Sequence, residues 1–458
     1  MPAQTVDDAY IAVKPDEPLQ AGDAYYEDFA VWRGDESVSD LIARMIRRSN
    51  RATPVDHVKQ LFTGHRGCGK SSELLRLKAR LEEQGFFVAY LDSTFALDVS
   101  DVSYTDVLIA LVLAVAQAAD EAADLDLDVP DGIVEGLNRR LGAWVLEDTV
   151  TRGGETEVEA EAKLGGGIPG LLKLALGLQS TLKAGAEKKQ TLRTTIDQGV
   201  TAFLDDLNII IDDLQIQLRD RGKEGLVLIM DSLDRIVLKT HADGRGNTHT
   251  DLFIDHAYHL KAPRCHVVYT VPISICFERN LLPLYDRPRI LPMVKVRERQ
   301  PGQEEGDPCE GALSAMTEAV ARRMDLGLFE DPDDVRRLCQ ASGGHIRDLM
   351  HLLRDACNYS EEQITPRTVD RAIQGLTNIY DLLVRDADLP KLVQVHREKR
   401  LPADPEYARL PYHLLVLQYK NGEQWADVHP AVLRMSKFRR ALDAVDDETD
   451  PDGRPDAD

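Results

Sequence analysis

Residues 64–71 read Gly64-His65-Arg66-Gly67-Cys68-Gly69-Lys70-Ser71, a glycine, four residues, then glycine, lysine and serine. Few short patterns constrain a chain more. Three glycines let a backbone wrap an anion with its amide hydrogens turned inward, where a Cβ atom would obstruct. Lys70 is then placed to reach terminal phosphates. Ser71 opens a helix whose positive end favours an anion and whose hydroxyl can bind magnesium. The pattern needs a strand before it and a helix after it. Residues 58–63, Val-Lys-Gln-Leu-Phe-Thr, supply the strand, and Leu74, Leu77 and Leu81 recur at helical spacing before Gly85. The expected ligand is ATP or GTP, lined by Gly64, His65, Arg66, Gly67, Cys68, Gly69, Lys70, Ser71 and Ser72, with Arg33 as a further contact from upstream.

At 458 residues the chain exceeds one compact core. The six cysteines are scattered without a C-x-x-C pair, which argues against a zinc site or a disulfide framework and fits a reducing cytoplasm. No basic segment followed by an apolar run opens the chain, so no secretory signal is expected. The longest apolar runs, 107–116 and 168–178, fall short of the roughly 20 residues that span a bilayer. A net charge of -23 repels nucleic acid on average, although a local basic patch can override it.

Read along its length, the chain divides into an N-terminal arm and helix over 1–56, a core over 57–300 and a helical lid over 301–380. A C-terminal module over 381–441 and a disordered acidic tail over 442–458 follow. The β-branched and aromatic stretch 86–92 predicts a second strand, and Ser103 with Asp106 predicts a capping box before an apolar helix from Tyr104 to about Ala119. Residues 124–186 read as an insertion, a mobile or partner-packed segment rather than a membrane-touching one. Leu192, Ile196, Val200, Leu204, Leu207, Ile211, Leu214 and Leu218 predict one long amphipathic helix over 190–219. Further strands are expected over 225–231, 265–270 and 291–296. Five strands alternating with helices specify an α/β fold, a three-layer αβα core on a parallel sheet.

An apolar strand that ends in Asp231 supplies a carboxylate able to hold magnesium directly or through water. Asp231-Ser232-Leu233-Asp234-Arg235 follows, and Asp234 is the nearest carboxylate to orient an attacking water. It serves equally well as a helix N-cap or as an ion-pair partner of Arg235. Thr270 closes another strand and can hydrogen-bond a terminal phosphate, or simply be a strand threonine. Arg347, one turn into the helix after Gly343-Gly344-His345-Ile346, can reach phosphate bidentately; by itself it reads as a solvated helix arginine. Arg279, Arg287 and Arg289 are candidate arginine fingers, or surface ion-pair residues.

With these elements in order, residues 25–380 resemble the AAA+ and STAND group of P-loop ATPases, with features like the origin-recognition type initiators and the KAP-like ATPases. The resemblance rests on Gly64 to Ser71 as Walker A, Leu226 to Asp231 as Walker B, the Asp-x-Leu-Asp-Arg extension, Thr270 as sensor 1 and Gly343 to Arg347 as sensor 2. It implies a P-loop core followed by a helical lid and a small C-terminal module, with ATP and Mg2+ bound between core and lid and often between subunits. Ser232 stands where AAA+ enzymes usually carry a catalytic glutamate, which leaves hydrolysis slow or dependent on Asp234.

Three functions remain open on these grounds. The leading one is an ATP-driven conformational switch of signalling or defence type that controls self-association or a protein partner. A second is an initiator-like ATPase engaging DNA through a C-terminal winged helix, with Lys420-Asn421-Gly422-Glu423 as the wing turn. That segment carries Arg397, Lys399, Arg400, Arg434, Lys437, Arg439 and Arg440, but also eight acidic residues, which favours a protein-interaction module. The third is a nucleotide-binding scaffold that does not hydrolyse.

Overall fold

The computed structural model describes residues 2–20, 22–34, 36–150, 167–241, 246–278, 280–299 and 306–449. Arg279 and the far tail, 450–458, lie outside them. The chain divides into two compact units, each with its own apolar core. One comprises residues 39–63 and 74–289; the other comprises the chain up to 38, residues 64–73, and everything from 290 onward. By packing, the phosphate loop therefore groups with the C-terminal half, whereas its position in the sequence groups it with the strands on either side.

The strands Lys59–Gly64 (β1), Phe87–Asp92 (β2), Leu226–Asp231 (β3), His266–Thr270 (β4) and Arg289–Leu291 (β5) form a sheet ordered β2-β3-β4-β1-β5. β1 pairs with β4, β4 with β3 and β3 with β2, each in parallel. All six residues of β3 are buried, as in a parallel strand covered on both faces. Each Leu, Ile or Val so buried contributes about 1.5–3 kcal/mol. The fold is an α/β P-loop core with a helical C-terminal region, as the sequence predicts. From β1 the chain crosses to β2 on one side, while β5 lies on the other; ligands bind at the carboxyl ends of strands where the order reverses in this way. β5 is shorter than the expected 291–296. Pro292 has no amide to give a ladder, and the backbone beyond it bonds elsewhere, Met293 to the Gln418 carbonyl and Lys295 to that of Trp32, at 2.9 and 3.0 Å.

The capping box at Ser103 and Asp106 is present, and it starts the helix Tyr104–Glu121. Residues 104–116 are buried on every side of that helix, so it is a central element of its unit. The apolar run of the insertion explains why: Ile168, Leu171, Leu174, Ala175 and Leu178 form the buried face of the helix Gly167–Leu182 in the same core. That segment is core, packed within its own chain. The single helix expected over 190–219 is two, Ala186–Gln198 and Val200–Asp220, broken at Gly199, where a glycine costs a helix roughly 1 kcal/mol.

The other unit is helical from Glu310 to Leu383, in the helices Glu310–Ala321, Asp333–Ala341, Ile346–Asn358 and Pro366–Leu383. A hairpin of Val416–Asn421 (β6) and Glu423–Val428 (β7) follows, turning at Gly422, whose φ of +80° a side chain would resist. The helix Ser436–Thr449 runs past residue 442, where the sequence suggested that a tail begins. Among the described residues, no helix is long and apolar enough to cross a membrane.

Candidate functional site

The loop after β1 hands over directly to the helix Lys70–Glu83, whose first amides have no partner within the helix. Gly67 and Gly69 adopt φ of +79° and +101°, conformations that glycine alone enters without strain. Five successive carbonyls, those of residues 64–68, are each held by a donor. Lys70 Nζ donates to the oxygens of Gly64 and His65 at 3.0 and 2.8 Å, and His345 Nε2 lies 2.6 Å from the oxygen of Arg66. The amide of Arg347 donates to the Gly67 oxygen at 3.3 Å, and the guanidinium of Arg33 donates to that of Cys68 at 2.6 Å. The carbonyls of residues 66–68 are held by donors from outside the loop, so planar trans peptides aim the following amides away from those donors, apart from that of Cys68, which bonds the His65 oxygen. What is left is a nest of amide hydrogens at a helix start, a site for an anion.

The residues around the loop differ in what they have left to give. Arg33 is 7% exposed and lies over Phe29, so this predicted nucleotide contact supports the loop backbone. Arg347 also pairs with Asp16 of the N-terminal arm, and the amide of Leu19 donates to the Ser72 hydroxyl at 3.0 Å. His65 is fully buried. Its Nε2 accepts the Gln418 amide at 3.0 Å, so Nδ1 carries the proton and donates to the Pro411 oxygen at 3.1 Å. Burial lowers its pKa to about 3, which keeps the ring neutral in this role. Arg66 lies over the Tyr412 ring and donates to its hydroxyl at 3.2 Å. Cys68 is buried, and Ser71 is partly exposed on the first turn. Beneath His345, Asp348 lies 3.0 Å from His345 Nδ1 and 3.2 Å from His429 Nε2, and accepts the Tyr380 hydroxyl at 2.8 Å. Burial alone would raise the Asp348 carboxyl, but the two histidines outweigh it and hold it well below its usual range.

In the other unit, Asp231, Ser232, Asp234 and Thr270 gather at the ends of β3 and β4. Asp231 is 1% exposed, and its carboxylate accepts the Tyr90 hydroxyl at 2.7 Å and the Ser232 amide at 2.6 Å. Burial, then the Asp231 charge, raises the Tyr90 pKa, so that hydroxyl stays a donor. The Thr270 hydroxyl accepts the Leu233 amide at 2.9 Å and donates to the Met230 carbonyl at 3.2 Å. It pins the turn after β3. Ser232 takes φ of +65°, unusual for a residue with a side chain, and Asp234 is buried on the single 3-10 turn Leu233–Arg235.

The arginines between β4 and β5 show no shared role. Arg287 is exposed and offers its carbonyl to Gln60, while Arg289 is half-buried beside Met45, its pKa lowered by burial.

A cavity of about 70 Å3 opens beside Gly69, Ser72 and Glu73. Tyr25, Tyr26 and Phe29 of the N-terminal arm and Ile346 and Met350 of the lid give it an apolar wall. Sequence reasoning gave Tyr25 to Phe29 no role, and missed Tyr90 as the partner of Asp231. The aromatic cluster was the available signal for the first. For Tyr90 the signal was its place one residue before the strand position that pairs with Met230.

No protein-family profile and no curated protein matches the sequence of this chain. Among solved structures it is similar to the Aeropyrum pernix ORC2 protein in ADPNP–ADP complexes, at 12% identity over 95% of this chain and 96% of that one, with a TM-score of 0.42. The Aeropyrum pernix ORC1 protein in complex with DNA aligns at 13% identity over 95% and 96%, with a TM-score of 0.37. CDC6p from Pyrobaculum aerophilum aligns at 10% identity over 97% and 100%, with a TM-score of 0.38.

Proposed function

We propose that this protein binds ATP with Mg2+ and hydrolyses it slowly, using the nucleotide to switch the conformation of the lid and C-terminal module toward self-association or a protein partner. The observation that carries the reading is the loop at 64–68, with the carbonyls of 66–68 tied to donors from outside it and those of 64 and 65 held by Lys70, at the open start of a helix. Phosphates take the amide nest, and Lys70 exchanges two carbonyls for phosphate oxygens. The base fits the apolar cavity beside Gly69, which must widen to admit it. Ser71 and Asp231 are the magnesium ligands of this reading, and the ion when bound offsets phosphate charge. Asp234 orients water, since Ser232 has no carboxylate to do so.

The switch part rests on how the loop is held. His65 bonds both Pro411 and the hairpin strand β6, and His345 and Arg347 come from the lid, so a loop that rearranges around phosphate perturbs the lid and the C-terminal module together. A DNA-engaging reading has the β6–β7 hairpin in its favour. Against it, Lys437 donates to the carbonyls of Asp381 and Val384, and Lys399 is buried against Asp427, so two of the basic residues are already used.

Steady-state ATP turnover of wild type, Lys70→Ala and Asp234→Ala tests the enzyme. At least a tenfold loss is expected for each, with ATP affinity retained in Asp234→Ala. Wild-type turnover equal to that of Lys70→Ala sinks the ATPase, and binding without turnover leaves the scaffold. DNA affinity across a salt series tests the other reading, because phosphate contacts must weaken steeply with salt.

A further inference from the structure

A second cavity, of about 390 Å3, lies in the C-terminal half between the segment after β5, the β6–β7 hairpin and the residues that follow it. It is larger than the one beside the loop and of a size that holds a small molecule. Its lining is basic in a chain of net charge -23: Arg297, Arg299, Lys399, Arg434 and Arg439 face it, against Glu298 and Asp427. Both carboxylates are already engaged. Asp427 takes Lys399 Nζ at 2.8 Å and His396 Nδ1 at 2.7 Å, and Glu298 takes Lys295 at 3.2 Å.

Arg299, Arg434 and Arg439 are engaged far less. Arg299 reaches Glu423 only at 3.5 Å, on a side chain that is 88% exposed, and Arg439 donates to the Leu433 carbonyl at 3.2 Å. Arg434 has no hydrogen-bond or ion-pair partner among the described residues. Burial, then the neighbouring Arg337 and Arg439, lowers its pKa, with Asp370 acting against them. On the cavity wall Trp425 is 6% exposed and stacks on Tyr419 at 4.5 Å, yet its indole Nε1 has no hydrogen-bond partner among the described residues. A buried donor left unpaired is destabilising, and a ligand oxygen that accepts from it removes that cost.

We propose that this cavity is a second ligand site, separate from the phosphate loop, that takes a small phosphorylated molecule, with Arg434 and Arg439 on its phosphate and the Trp425 indole donating to one of its oxygens. Guanidinium groups pair bidentately with phosphate, and a cavity of this volume admits a molecule the size of a mononucleotide.

The test is calorimetry on the full chain carrying Lys70→Ala, which weakens the loop as a competing site, with inorganic pyrophosphate and adenosine 5′-monophosphate as probes. Binding of at least one probe is expected, weakened at least tenfold by Arg434→Ala with Arg439→Ala and several-fold by Trp425→Phe. Circular dichroism checks that these variants stay folded; if the arginine pair does not, Trp425→Phe alone carries the test. Binding should also change the fluorescence of the Lys70→Ala protein and not that of its Trp425→Phe derivative. Equal affinity with and without the arginine pair overturns the proposal, as does no binding by either probe. A short DNA duplex that binds through Arg434 while both small probes do not also overturns it, because the site then reads a polymer backbone.

Discussion

Asp16 and Arg347 form an ion pair, with Oδ1 3.0 Å from Nε, that ties the N-terminal arm to the arginine whose amide holds the Gly67 carbonyl of the loop. Asp16 is 75% exposed there and Arg347 27% exposed, so the pair is a weak one. Exposed pairs contribute about 0.2–1 kcal/mol. On the proposed function, a phosphate that meets Arg347 has to displace this carboxylate. Asp16→Asn is therefore expected to tighten ATP binding about two- to fivefold by calorimetry. Unchanged or weaker binding removes the arm from competition with the nucleotide.

Ser232 holds φ of +65° with a buried hydroxyl that has no hydrogen-bond partner among the described residues. A left-handed conformation costs a residue with a Cβ roughly 1–2 kcal/mol, and glycine escapes it. Ser232→Gly should raise stability by about 1 kcal/mol in urea denaturation. A loss of stability would mean that the hydroxyl has a structural use.

Thr270 presents a different case, since its hydroxyl both accepts the Leu233 amide and donates to Met230. Thr270→Val keeps the shape and strands a buried amide, at a cost of about 1–3 kcal/mol. Thermal denaturation should report that loss. A variant as stable as wild type but with reduced turnover would instead support a contact to phosphate or water.

His65 makes the stability depend on pH. Its pKa is lowered to about 3 in the folded chain, against an ordinary value of 6.5, so the unfolded chain takes up a proton first as pH falls. The stabilisation is complete above pH 6.5 and is lost as pH falls from there toward 3. The slope is up to about 1.4 kcal/mol per pH unit for this one ring. Other histidines add to it: His57 and His266, in the other unit, are lowered to about 4 and about 3. His65→Gln should flatten the loss of urea midpoint between pH 6.5 and 4.5 for the unit that holds the loop. An unchanged slope would show that His65 is not the group responsible.

Much was legible in the sequence because much of it is local. The glycine spacing of residues 64–71, β3 ending on Asp231, β4 ending on Thr270 and the capping box at Ser103 each follow from residues a few positions apart. Glycine conformational freedom, strand burial and helix capping act at that range. Where neighbours in sequence compete, the reading was coarser: Gly199 splits a helix that periodicity drew as one, and Pro292 ends a strand that composition drew longer.

The surroundings of the loop are a tertiary outcome. His345 meets the Arg66 carbonyl across 279 positions of chain, and His65 meets Pro411 across 346. Nothing near residue 64 announces either contact. The sequence by itself determined that residues 64–71 form a glycine-turned loop running into a helix start, because glycine freedom and helix propensity act locally. The tertiary structure decided that Arg33 is spent on a loop carbonyl, that Arg347 is shared with Asp16, and that the loop packs with the C-terminal half. Those outcomes depend on which distant donors reach buried carbonyls that must be paired, and only the folded chain brings the two together.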